Sequence, residues 1–286
     1  MVGCGATPRR MRALRGIWAS PTGRPGMILV VLVVGFAVLG PPLLADPAAL
    51  HIPDRFASPG WAHWAGTDSL GRDMLARLAA GGRIALGVSL AAIVLALAIG
   101  VPLGMLAARA RPVVASSVLV LFDVVAAFPS LLFALAAVAL LGPGLERLVI
   151  LVALTLAPGF GRVARAQVLA LSSATYLEAA RAIGVGPARL WARHVLPNIA
   201  GTLLVLASMD IPTVIAIEAG LSFMGVGVPP PSASWGALLY DGYVHLDQSV
   251  WPLLGAATML VLATLGFTLA GEALRDAIDP TLHRAP

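Results

Sequence analysis

An all-α integral membrane protein with six membrane-crossing helices is the fold this sequence predicts, and three observations carry it. The 286 residues are 59% hydrophobic and only 12% charged, about half the charge of a globular domain, and the mean hydropathy is +0.91. Too little polar surface remains to coat a water-soluble particle. The apolar residues gather into runs of roughly 20, the length that crosses a bilayer as a helix. The basic residues flank those runs instead of forming one patch. The net charge of +5 therefore reads as a topology signal, and nucleic acid is excluded as a partner.

Residues 1–25 are a basic segment. The first span, 26–45, follows it, and the pair imitates a secretory signal peptide. No small, later soluble domain follows, so the span is expected to stay as an anchor. Residues 46–82 form an outer segment rich in Pro, Trp and His. The second span, 84–108, contains Gly100-Val-Pro-Leu-Gly104, a small-xxx-small face suited to close helix contact. The third, 113–141, is interrupted by Asp123 and Pro129. The fourth, 145–161, is short and is expected to end at Pro158-Gly159. A charged loop, 162–198, separates it from the fifth span, 199–224, which carries Asp210, Pro212 and Glu218. A second outer segment, 225–249, contains three consecutive prolines, Pro229 to Pro231. The sixth span, 250–271, has no charge inside it, and 272–286 is a tail.

Topology follows from the arginines. With the N-terminus in the cytoplasm, 14 of the 19 arginines lie on the cytoplasmic side, and only Arg55, Arg72, Arg77, Arg83 and Arg147 lie outside. The positive-inside rule selects this orientation. Both termini and the 162–198 loop are then cytoplasmic.

There is no lysine, since all 19 basic residues are arginine. A phosphate-binding P-loop needs its lysine, so any ATP hydrolysis belongs to another subunit. The five histidines are scattered, no HExxH or Cys/His metal spacing exists, and Cys4 is the only cysteine. No GxSxG elbow is present. The chain is expected to be no enzyme, to bind no metal and to hold no cofactor of its own.

The loop is read as two short helices. Thr175-Tyr-Leu-Glu178 fits a capping box, with the Thr hydroxyl on the Glu178 N–H and Glu178 reaching back. Gly184 suits the C′ position that ends this helix. Gly186-Pro187 starts a second helix, and Leu196-Pro197-Asn198 is expected to end that one and cap the fifth span. The first helix places Tyr176, Ala179, Ala180 and Ile183 on one small, shallow face. Two readings are open: a helix resting on lipid headgroups, or a knob for a cytoplasmic partner.

Asp123, Asp210 and Glu218 lie at membrane depth, where ionisable groups face protein or water. They line a translocation pathway, or they bond neighbouring helices and backbone freed by proline. Glu218 and Ser222, four apart, share a helix face near the outer end of the fifth span, which suits an outer gate. Asp68 to Asp73 reads as a capped turn before a helix starting near Arg72, with Arg72 paired to a local aspartate.

Several motifs together resemble one family. Glu178-Ala179-Ala180, Gly184 and the tail ending Leu196-Pro197 are similar to the EAA loop of ABC importer permeases. The family's usual isoleucine ten residues after the glycine is His194 here, and the following Val-Leu-Pro-Asn resembles the peptide-importer branch. Gly66-Thr67-Asp68-Ser-Leu-Gly71-Arg72-Asp73 resembles the GTDxLGRD segment of oligopeptide, dipeptide and nickel permeases. Phe122-Asp123 through Phe128-Pro129, Glu218 through Gly227, Pro231 through Trp235-Gly236, and Leu274 through Pro280 resemble further motifs of the same family. The likeness covers about residues 25–284 and is greatest to the C-type permease of a heteromeric pair.

The resemblance implies a transport subunit in the bacterial inner membrane. It would form half of an alternating-access pathway with a second homologous permease. Two cytoplasmic P-loop ATPases would use ATP and magnesium, and an external binding protein would deliver substrate. It also implies that Tyr176, Glu178, Ala179, Ala180, Arg181, Ile183, Gly184, Leu196 and Pro197 form the coupling helix and its tail against an ATPase. Peptide is the expected substrate, with nickel, glutathione or haem as alternatives. An autonomous ion-coupled carrier using the three intramembrane acids is the reading from another class; an intramembrane enzyme lacks its catalytic constellation.

Overall fold

The continuous apolar stretches fold as helices, because inside a bilayer every backbone group must bond within its own segment. The computed structural model describes residues 18, 20–172 and 174–278. In chain order the helices are α1 (Gly23–Leu43), α2 (Met74–Arg109), α3 (Pro112–Ala127), α4 (Ser130–Leu141), α5 (Leu145–Leu171), α6 (Thr175–Ala182), α7 (Pro187–Leu190), α8 (Leu196–Phe223), α9 (Trp235–Val244) and α10 (Trp251–Ile278). Among the described residues five helices are long and apolar enough to cross a membrane, or six spans if α3 and α4 count as one bent span. The 1–25 segment, the 272–286 tail, Cys4 and the Asp279-Pro280 end of the C-terminal motif lie wholly or partly outside the described residues.

The chain divides into two compact units. One takes in residues up to Leu86, Ser208–Ala216 and Pro231 onward. Here α1 and α10 run antiparallel with their backbones close. A Cβ at Gly26 would lie 2.6 Å from the Ala270 nitrogen, and one at Gly266 would lie 2.8 Å from the Leu29 Cβ. Small residues allow this approach, which is how helices associate where lipid is as apolar as leucine. Val33, Met74, Leu78, Ile215, Trp235 and Leu238 form the buried core. The Trp235 indole N–H donates to the Leu78 carbonyl at 2.9 Å. Its ring fills a slot left by two glycines, since a Cβ on Gly81 or Gly82 would sit 2.9 Å from it.

The other unit comprises Gly87–Ala207 and Ile217–Pro230. Gly100 and Gly104 on α2 meet α5 so closely that a Cβ on either would overlap the carbonyls of Ala157 and Gly161. The small-xxx-small face therefore does what its spacing predicts. Phe122 of α3 fills the space that a side chain at Gly161 would need.

The helices differ from the sequence boundaries in physically instructive ways. α2 begins at Met74, ten residues before 84, and its 36 residues run about 54 Å, well beyond an apolar core of about 30 Å. The third span is broken. Phe128, extended at ψ 128 as the residue before a proline prefers, separates α3 from α4, which bend by more than 40°. The fourth span does not stop at Pro158-Gly159. α5 continues through Pro158 to Leu171, held by a buried face that reaches Ala164 and Val168. The 225–249 segment holds α9, capped by the Ser234 hydroxyl accepting from the Ala237 N–H at 3.1 Å.

Candidate functional site

The 162–198 loop carries the short helix α6. Its start differs from a capping box. The N–H groups of Leu177 and Glu178 reach the Ala174 carbonyl at 2.9 and 3.4 Å, so Thr175 is the first helical residue and backbone replaces the expected hydroxyl cap. Gly184 adopts φ +79°, the left-handed conformation that ends a helix at C′. Ala179, Ala180 and Arg181 fall on α6.

Side-chain burial splits this helix in two. Leu177 is 2% exposed, whereas Tyr176 is 44% and Ile183 81% exposed, and Glu178 faces solvent. Leu177 seats α6 on Leu190 and Val195, which are buried with it, over a small cavity of about 40 Å³ shared with Val168 and Trp191. Leu177 lies off the face that Tyr176 and Ile183 share, so the helix pattern does not single it out. The Asn198 amide ties the loop together, donating to the Tyr176 hydroxyl at 3.3 Å and to the His194 carbonyl at 2.6 Å.

Leu196-Pro197-Asn198 does not end the second helix. From α7 the chain passes through a π turn, Trp191–Val195, straight into α8. The Leu196 N–H reaches back five residues to the Trp191 carbonyl, and Pro197 takes a first-turn position of α8, where its missing N–H costs nothing. Leu196 and Pro197 are exposed.

The 66–73 motif is a folded knot. Gly66 (φ +75°) and Gly71 (φ +73°) take left-handed conformations, and a Cβ at Gly71 would overlap the His51 carbonyl. The Thr67 hydroxyl donates to the Asp54 carbonyl and accepts from the Ala57 N–H. Asp68 is fully buried. One of its oxygens accepts from the Leu70 and Arg72 N–H groups, each at 2.9 Å; the other lies 2.6 Å from Arg72 Nε and 3.1 Å from Arg77 Nε. Asp73 caps α2 by accepting from the Ala76 N–H at 2.9 Å, and its second oxygen meets His63 Nδ1 at 2.9 Å. The Ser69 hydroxyl reaches Asp241 on α9 at 2.9 Å. Arg72 pairs with a local aspartate as the spacing suggests. Arg77, His63 and Asp241 are partners that only the tertiary fold reveals.

The three acids that the sequence places within spans have different surroundings. Asp123 is exposed and pairs with Arg162 of α5 at 2.7 Å. Asp210 is half-buried and forms no ion pair among the described residues. Glu218 is fully buried and accepts from the Ser222 hydroxyl at 2.7 Å, while Ser222 Oγ accepts from the Val228 N–H at 3.2 Å. That chain of bonds fixes the turn after α8, where Gly225 takes φ +76°. Among the described residues no group of His, Cys, Asp or Glu could hold a metal ion.

Known proteins are similar to this chain in sequence and fold. Residues 100–284 match the family described as binding-protein-dependent transport system inner membrane component. The dipeptide transport system permease protein DppC of Alkalihalophilus pseudofirmus is 34% identical over 258 residues, covering 90% of this chain and 85% of that one. The oligopeptide transport system permease protein OppC of Bacillus subtilis is 35% identical over 260 residues (91% and 85%). The di/tripeptide transport system permease protein DppC of Pseudomonas aeruginosa is 35% identical over 283 residues (95% and 93%). Among solved structures, a chain of the methionine ABC transporter MetNI in an inward-facing conformation superposes with TM-score 0.59 at 19% identity, covering 72% of this chain and 98% of that one, a likeness of fold. The spans, the short exposed helix between the fifth and eighth helices, and these matches agree: the chain belongs to the family of binding-protein-dependent transport system inner membrane components of ABC importers.

Proposed function

We propose that this chain is one of two homologous permease subunits of a peptide importer in the bacterial cytoplasmic membrane, with both termini in the cytoplasm. Two P-loop ATPases hydrolyse ATP with magnesium, and an external binding protein delivers the peptide. The subunit catalyses no bond chemistry; it changes which side of the pathway is open. Peptide is favoured as substrate by relatives of about 35% identity over nearly the whole chain that are named for dipeptides, tripeptides and oligopeptides.

The observation that carries the reading is α6. Leu177 anchors it to its own subunit, and Tyr176, Glu178 and Ile183 are left outward. A helix anchored through Leu177 and exposed at Tyr176, Glu178 and Ile183 transmits a push from a partner to α8 through the continuous α7–π–α8 segment. The 66–73 knot gives the opposite end of α2 a rigid start, and the Glu218–Ser222 pair fixes the turn after α8 as part of an outer gate.

The test is co-expression with the second permease and the ATPases. Deleting Glu178–Gly184 is expected to stop the ATPases co-purifying and to abolish ATP-driven peptide uptake into vesicles. ATPases that still co-purify, with uptake intact, would falsify the coupling role. Uptake of labelled peptide that excess di- and oligopeptides fail to compete would remove peptide as substrate.

A further inference from the structure

The second half of α2 and the start of α8 enclose a groove of about 930 Å³. Leu97, Val101, Leu106, Leu203 and Leu204 line its length, and Arg109 and Trp191 are the lining residues nearest the loop. Leu97 to Arg109 rises about 18 Å along the helix, close to one leaflet of an apolar core of about 30 Å. The Arg109 guanidinium lies over the Trp191 ring, 5.3 Å from its centre, as cation–π pairs do. An arginine and a tryptophan at the end of an apolar wall mark the headgroup level of a membrane.

On the two segments that line this end, charge has one sign. Arg109, Arg111, Arg189 and Arg193 lie on the two segments, and the sequence has no Asp or Glu between Asp73 and Asp123 or between Glu178 and Asp210. Among the described residues, none of the four pairs with a carboxylate. A ligand that matches the whole feature is apolar for about one leaflet and anionic at its end. Free phosphate would leave the leucine wall bare, and a purely apolar helix would leave the arginines unanswered.

We propose that this groove seats an anionic phospholipid, with an acyl chain along Leu97–Leu106 and Leu203–Leu204 and its phosphate on Arg109. Basic pockets between membrane helices take such headgroups. The site adjoins Trp191 and the π turn that leads into α8, so the bound lipid packs the joint between the loop and the membrane helices. The inference rests on the chain being a membrane permease, not on which substrate it carries.

The test uses the assembled complex in detergent, exchanged into an equal mixture of phosphatidylglycerol and phosphatidylethanolamine, with lipid retained after washing measured by mass spectrometry. The wild type is expected to retain phosphatidylglycerol over phosphatidylethanolamine by about fivefold, the order expected for one arginine near a headgroup. Arg109→Gln is expected to bring the ratio near one, and Arg109→Lys to restore most of it. Ala200→Trp, which fills the groove, is expected to reduce total retained lipid by about one molecule per chain. A wild-type ratio of one, or an unchanged ratio in Arg109→Gln beside a monodisperse complex, overturns the proposal. So does efficient disulfide cross-linking of Leu203→Cys to a cysteine on the second permease, which would name a protein occupant. These readouts are independent of peptide uptake, so they separate this proposal from the transport reading.

Discussion

The Asp68 carboxylate holds the Arg72 guanidinium at 2.6 Å while itself wholly buried. Arg77 is buried beside it, so one carboxylate answers two guanidinium groups and two backbone amides. Removing one member of such a set leaves the others uncompensated, at a cost of about 3–5 kcal/mol. Asp68→Asn is therefore expected to lower the thermal unfolding midpoint and the yield of monodisperse protein sharply. Asp73→Asn keeps an acceptor for the cap and alters only a half-exposed His63 contact; its expected cost is well under half as large. Equal losses from the two substitutions would show that Asp68 is no keystone of the knot.

Gly104 and Gly161 supply a second prediction. Gly104→Ala sets a Cβ into the Gly161 carbonyl, and backbone cannot swing aside as a side chain can. Overpacking of this kind costs about 1–3 kcal/mol. Gly87, on the same helix, has open space where a Cβ would be. Gly87→Ala is expected to stabilise by about 0.5–1 kcal/mol, since glycine is a poor helix former. Unfolding midpoints of the two variants should move in opposite directions.

These two helices also mark how far the sequence could be read. Local signals were legible: the apolar runs, the Gly100–Gly104 face, the left-handed Gly184, and the Asp68–Arg72 pairing four residues apart. Each depends on neighbours along one segment. Helix ends were not legible. Pro158 looks like a stop yet lies inside α5, and Pro197 looks like a stop yet sits in the first turn of α8, where its missing N–H costs nothing. The partners of Asp123, Ser69 and Trp235 were equally hidden, because Arg162, Asp241 and Leu78 lie far off in sequence and carry no pattern that points to them. Leu177 was hidden for another reason. The recognisable motif of α6 is Glu178-Ala-Ala, and Leu177, which anchors the helix, carries no pattern of its own.

That anchor yields a third prediction. Leu177→Ala removes a fully buried side chain and is expected to cost about 2–5 kcal/mol locally, loosening α6 from Leu190 and Val195. In the assembled complex, ATP hydrolysis should persist while peptide uptake falls at least tenfold, because the ATPases push on a helix no longer fixed to its subunit. Tyr176→Phe loses only the 3.3 Å bond from Asn198 and should change uptake by less than twofold. Gly184→Ala, forced to φ +79°, should cost about 1–2 kcal/mol and fall between them. Uptake and ATP hydrolysis falling together in Leu177→Ala would mean that the residue serves folding and not coupling.

Ser222 supplies the last prediction. Its hydroxyl donates to Glu218 and accepts from Val228 N–H in the same buried place, so it joins the end of α8 to the turn after it. Ser222→Ala deprives a buried amide of its acceptor, at about 1–3 kcal/mol, and takes one donor from the Glu218 carboxyl. Ser222→Thr keeps the hydroxyl but adds a methyl in a space where a Cβ at Gly227 would already overlap Ser222 Oγ. Glu218→Gln retains an acceptor for the hydroxyl and is expected to be the mildest of the three. If the turn is part of an outer gate, Ser222→Ala should raise ATP hydrolysis in the absence of binding protein, because a loosened turn no longer holds the closed state. If it is only a structural joint, the unfolding midpoint falls and the basal ATPase rate stays put. Measuring both in one set of vesicles separates the two.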